Sequence, residues 1–185
     1  MTTLRMHRRR GVAVRSIGYA AVLIGWTASI VVGAMLPPLP DLRALALLVH
    51  LAALVVGLGA AVMVEYTGLM WVFGRGTLRG LRENEHRLAV PAWLGYTGLL
   101  VSGAVLAPDL GNVLTLVKLG AVLLAGLNAV AIDLLVRELD LLPADMPFRR
   151  VRRTVRLWSI VSGSVSQLAW WTAVIVGAMN TASYG

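Results

Sequence analysis

The sequence predicts an all-α polytopic membrane protein, a single-domain bundle of five transmembrane helices. Three observations carry that expectation. Of the 185 residues, 58% are hydrophobic and 14% charged, whereas soluble domains hold about 45–50% apolar and about 25% charged residues. Five stretches reach the roughly 20 mostly apolar residues that a helix rising about 1.5 Å per residue needs to cross a slab about 30 Å thick. The arginines, finally, fall in alternate connections, as the positive-inside rule demands of a bundle that crosses back and forth.

The first helix is expected over residues 16–36, after a tail carrying Arg5, Arg8, Arg9, Arg10 and Arg15. Its apolar run is about twice the length of a secretory signal, so it is read as a retained span. "PPLPD" separates it from the second helix, 42–73, because proline lacks an amide donor and fixes its own φ. The polar connection "GRGTLRGLRENEH" follows, with Arg75, Arg79, Arg82 and Arg87, and Asn84 is placed to cap a third helix over 88–107. "APDLGN" leads into the fourth, 110–136. "RELDLLPADMPFRRVRR" leads into the fifth, 157–180, and Arg137, Arg149, Arg150, Arg152, Arg153 and Arg156 lie at or near it. The opposite face offers only Arg43, with Lys118 a few residues inside its helix. The expected topology puts the N-terminus in the cytoplasm and the C-terminus outside, in the inner (plasma) membrane. "WTASIVVGAM" at 26–35 and "WTAVIVGAM" at 171–179 are alike, as two helices solving one small-residue packing problem would be.

Composition also excludes chemistry. The absence of cysteine removes disulfides, thiolate metal sites and cysteine nucleophiles. A formal charge of +8 arises from membrane-flanking arginines; with few, scattered aromatics, no nucleic-acid surface is expected. "GRGTLRG" lacks the strand and lysine of a phosphate-binding loop. No His-x-x-x-His pair occurs, and the single Glu-x-x-His, Glu83 to His86, lies in a polar connection outside the expected spans, so a protein-only transition-metal cage within the membrane is not expected. His7 lies in the tail and His86 in a basic connection, too far from His50 for two histidines of one chain to hold one haem.

The candidate site residues are the ionisable groups inside the spans. Such groups cost at least about 2.5–3.5 kcal/mol at the bilayer centre and face the bundle interior or a partner. His50 and Glu65 stand fifteen residues apart on the second helix, roughly 60° apart around it and roughly 22 Å along it. Ala53, Gly57, Ala61 and Gly68 share that side and favour close helix approach. Lys118 and Asp133 repeat the spacing on the fourth helix. If these two helices are neighbours, the chain has an outer His50/Lys118 site and an inner Glu65/Asp133 site, with Asn128 and Gln167 adding hydrogen bonds. Plainer roles stand beside these. Asp133 is one turn from Arg137; Glu65 is placed to meet Arg15 or Arg156; Lys118 is able to snorkel; His50 suits a helix-to-helix hydrogen bond as well as a metal or haem iron.

"LVHLAALVVGLGAAV", then "GLLVSGAVLAP" and "LVKLGAVLLAGLN", resembles the core of the copper-resistance D family and is similar to the membrane protoporphyrinogen oxidases of the HemJ type, over about residues 44–130. Both families show a histidine early in one membrane helix and a lysine opening a later one. The resemblance implies haem- or metal-related roles for His50 and Lys118, with haem b or copper as cofactor. The leading functional expectation is therefore a small integral membrane protein that binds haem or a metal, or handles porphyrin or copper, through that pair, with Gly57 and Ala61 leaving room for the ring. Alternatives are a non-catalytic accessory subunit of a larger membrane complex, and a proton-coupled transporter using Glu65 and Asp133. A homodimer is compatible with each of these.

Overall fold

A computed structural model describes the main chain of residues 2–37 and 39–182, and the side chains of 15–37 and 39–179. The tail residues Arg5, His7, Arg8, Arg9 and Arg10, and Pro38 of the first turn, therefore lie outside the described side chains. Five α-helices follow one another: α1 Thr2–Met35, α2 Pro40–Val72, α3 Leu78–Val105, α4 Val113–Asp140 and α5 Arg153–Ala182, with one 3-10 turn at Phe148–Arg150 before α5. All five are long and apolar enough to cross a membrane, α1 through its Arg15–Met35 portion. The protein is thus an all-helical, multi-pass membrane protein.

The helix boundaries differ from expectation at α1, which begins at Thr2 rather than at residue 16, and at α3, which begins ten residues early. Thr77, not Asn84, is its cap: the Thr77 hydroxyl accepts from the amide of Gly80 at 3.1 Å, satisfying one of the donors a helix start leaves open. An i,i+4 ion pair, Arg79 to Glu83 at 2.9 Å, supports the first turns. Most of the segment that reads as a polar loop is therefore helix, and His86 lies within α3. At the other turn the break falls where expected. Ala107 takes a left-handed φ of 48°, Asp109 accepts from the amide of Gly111 at 2.9 Å, and Asn112 caps α4 through the amide of Leu114 at 2.8 Å.

Packing follows the glycines. α2 and α3 form a tight antiparallel hairpin in which Gly57 meets Gly95 main chain to main chain, and Gly98 meets Ala53. Side-chain absence at both positions of a crossing is what allows such approach in a bilayer, where dispersion contacts replace hydrophobic driving force. α4 and α5 form the second hairpin. Asn128 clamps it, donating from Nδ2 to the carbonyl of Ser162 at 2.9 Å and accepting from the Ser162 hydroxyl at 3.1 Å. The hairpins meet along α3–α4 and, to a similar extent, along α2–α5. α1 lies across the α3–α4 boundary, with Trp26 donating to the carbonyl of Leu119 at 2.9 Å and Ser29 to that of Leu100 at 2.6 Å.

α2 and α4 are consequently diagonal across the bundle, not side by side, and the premise of two matched layers on adjacent helices is corrected. The physical reason lies in the facing side chains: α2 closes on α3 where Gly57 and Gly95 remove the bulk between them, and α4 is clamped to α5 by Asn128 and Ser162.

The arginine-bearing connections lie together at one end, the basic end. There Trp71 donates to the carbonyl of Met146 at 2.9 Å and packs edge-on against Phe148 with centroids 5.0 Å apart. Leu78, Leu135, Leu139, Val151 and Val155 complete this small core.

Candidate functional site

His50 lies in the half of α2 distant from the basic end, half-buried against α3. Its Nδ1 lies 2.9 Å from the hydroxyl of Ser102, and Ser102 is almost fully buried at 3% exposure. The Ser102 hydroxyl has one hydrogen, and the carbonyl of Gly98 accepts it at 2.5 Å. Ser102 Oγ must then accept from His50, which assigns the proton to Nδ1 and leaves the lone pair on Nε2. The helix-to-helix hydrogen bond foreseen for this histidine is therefore formed, and it also fixes the tautomer. Lys118 is within electrostatic reach of His50, but its stem runs along α5, where a Cβ on Gly177 would stand 3.8 Å from Lys118 Cδ. The two expected outer residues share a depth without sharing a helix interface.

The room expected at Gly57 and Ala61 for a macrocycle is filled. A Cβ on Gly57 would stand 2.8 Å from the ring of Trp170 and 3.3 Å from the main chain of Gly95, and Ala61 packs on the cluster of Leu99, Ala125, Ala169 and Trp170. A haem does not fit between α2 and α3. Among the described residues no group of three or more His, Asp or Glu is arranged to hold a metal ion. His50 Nε2 is thus a single available donor without a cradle.

The inner pair is also separated. Asp133 pairs with Arg137 on its own helix at 2.8 Å, both side chains half-exposed. Glu65, by contrast, points across the bundle to α5. Its carboxylate rests on Gly163, where a Cβ would stand 2.6 Å from Oε2, so only glycine at 163 admits it in this position. Ser166 and Gln167 supply the polar side chains beside it. Gln167 Oε1 accepts from the Trp171 indole at 3.0 Å, while its buried Nε2 has no well-formed hydrogen bond. Among the described residues Glu65 belongs to no ion pair. Arg156, one of its expected partners, instead lies near the carbonyl of Arg149 at 3.4 Å and over Phe148.

Glu65 and Gln167 form part of the wall of a cavity of about 660 Å³ in the basic half, bounded by α2, α3, α4 and α5. The wall is mostly apolar, with Trp71, Ile132, Leu135 and Phe148 prominent. Its rim includes Tyr66 on α2 and Ile160 on α5, which are 55% and 50% exposed, so the cavity opens between α2 and α5 at their basic ends. Arg82 and Glu85 stand at its basic end. Arg82 is already engaged, donating to the carbonyl of Leu142 at 2.7 Å and facing Asp140 at 3.4 Å, and Glu85 lies 3.6 Å from His86. This combination, a pocket of ligand size with an apolar wall and few convergent polar groups, is the usual form of a small-molecule site.

Of the expected site residues, Glu65 and Gln167 are brought together, His50 and Lys118 are brought to one depth, and Asn128 serves the α4–α5 clamp. Ser102 and Gly163 were not foreseen. No family model, no curated protein and no solved structure matches this chain.

Proposed function

We propose that the protein is a membrane-embedded binding protein for an amphipathic small molecule, held in the basic-half cavity with Glu65 as its polar anchor. The observation that carries this reading is the placement of an intramembrane carboxylate, outside any ion pair among the described residues, in the wall of a ligand-sized apolar cavity. Ionisable groups at such depth are costly unless partnered, and a ligand head group supplies a partner. On this reading the chain sits in the plasma membrane with the basic end cytoplasmic, as its arginine distribution favours. The test is extraction. Wild-type protein and an Ile132→Trp variant, which fills the cavity, are purified in the same mild detergent and their bound small molecules compared by mass spectrometry. Wild type should carry an amphiphile that the variant lacks. Identical extracts from two equally folded proteins reject the reading.

A second reading has its own support. The hydrogen-bond chain from His50 through Ser102 to Gly98 presents Nε2 with its lone pair available, as a histidine ligand to metal or haem iron requires. Together with the resemblance to the copper-resistance D and HemJ-type families, it favours haem or copper association at His50, with Lys118 as a nearby cation. The filled space at Gly57 puts any such group outside the α2–α3 contact. A Soret band or bound copper lost in His50→Ala supports this reading; colourless, copper-free protein from haem-replete cells opposes it. A stoichiometric partner in both experiments would favour the accessory-subunit alternative.

A further inference from the structure

Resting on the cavity reading above, we infer that the ligand class is a compact lipophilic amine, bound as its ammonium form by the Glu65 carboxylate. Four features of the cavity converge on this chemistry. Its wall is hydrocarbon and aromatic over most of its area, which selects an apolar body. The acid on that wall belongs to no ion pair among the described residues, whereas the cation at the cavity's basic end, Arg82, is engaged by Asp140 and Leu142. The enclosure holds two carboxylates, Glu65 and Glu85, to the one guanidinium of Arg82, which Asp140 already faces, so an ammonium placed at Glu65, on the wall away from Arg82, is favoured over a carboxylate there.

The hydrogen-bond polarity agrees. Gln167 Oε1 is committed to the Trp171 indole, so the group it turns towards Glu65 is its amide nitrogen, a donor with no well-formed bond of its own. A donor beside a carboxylate supports the negative charge and leaves other lone pairs of the same group for an incoming N–H. Gly163 contributes by omission: with no side chain at 163, the carboxylate lies flush against α5 and the cavity in front of it stays open. Trp71 adds aromatic surface to the same wall, and cations are attracted to aromatic faces. The seam between α2 and α5 is the entrance, so the amine is taken up from the hydrocarbon or the interface beside it.

The experiment uses the full chain in lipid nanodiscs and three cage compounds of nearly equal shape: 1-adamantylamine, 1-adamantanol and adamantane-1-carboxylate. Binding is read by calorimetry and by thermal unfolding. The amine should bind at least about tenfold more tightly than the alcohol, the carboxylate should not bind, and Glu65→Gln should reduce the amine to the level of the alcohol. Gly163→Ala, which displaces the carboxylate without removing it, should weaken the amine and spare the alcohol, giving a second variant if Glu65→Gln proves unstable. Equal binding of amine and alcohol, or an amine preference that survives both variants, overturns the inference and leaves the cavity reading standing as a neutral-amphiphile site. Failure of all three probes in a protein that also yields no differential extract rejects both.

Discussion

Replacing Gly95 by alanine tests the closest approach of one main chain to another at any described glycine. A Cβ at 95 would stand 2.7 Å from the carbonyl of Ala53 and closer still to the main chain of Gly57. Main-chain atoms in the middle of two helices have no rotamer to move to, so α2 and α3 must separate. Overpacking of this kind costs about 1–3 kcal/mol, and with backbone as the obstacle the upper part of that range applies. Glycine to alanine also brings a helix-propensity gain of about 1 kcal/mol, which would mask part of the loss. Gly59→Ala removes that ambiguity: it lies two residues from Gly57 on the same helix, and a Cβ there meets nothing within 4 Å. Comparing the two variants cancels propensity and isolates the steric cost, about 2–3 kcal/mol between them. Titration with a denaturing detergent, followed by far-UV circular dichroism, measures it. Equal stability of the two variants would refute the main-chain contact, and with it the argument that no macrocycle fits between α2 and α3.

Ser102→Ala should release the His50 tautomer: ring nitrogen NMR should show Nδ1 protonated in the wild type and a mixture in the variant, with a stability loss of about 0.5–1.5 kcal/mol. Asn128→Ala removes both clamp hydrogen bonds to Ser162 and should cost about 1–2 kcal/mol in the same detergent titration. Asp133→Asn removes only a half-exposed pair with Arg137 and should change stability by less than about 0.5 kcal/mol, leaving amine binding unaltered; a large effect on binding would restore Asp133 to the site. Thr77→Ala should cost about 1 kcal/mol through the lost α3 cap, whereas Asn84→Ala should be nearly neutral.

The five spans are legible because hydrocarbon imposes a length that few other environments require, and each apolar run meets it. The start of α3 was not, because "LRGLREN" is polar by composition and reads as loop. It is helical through one capping hydroxyl and an i,i+4 pair, both local signals that a hydropathy reading passes over. Neighbours were less legible still. Matching spacings on α2 and α4 suggested adjacency, but helical periodicity carries no information about which helix lies opposite. Counting from the α2–α3 turn would have served better: His50 lies 22 residues before Val72 and Ser102 24 residues after Leu78, so an antiparallel hairpin sets them at one level. The companions of Glu65 lie about a hundred residues further on, in α5, and only the tertiary arrangement joins them. Gly163 in particular looks like any small membrane residue until a carboxylate is seen resting on it.

The position of α1 has a mechanical consequence. The hydrogen bonds of Trp26 to Leu119 and of Ser29 to Leu100 sew the second hairpin to the first along the α3–α4 edge. The opposite edge, α2 against α5, is joined instead through Glu65, which lies on Gly163 beside Ser166 and Gln167. Under the proposed binding function, a guest that takes over the Glu65 carboxylate would release this link, and the bundle would part there with the α1 side acting as spine. The width of that margin, more than the resting volume behind it, would then set the largest molecule the proposed site admits.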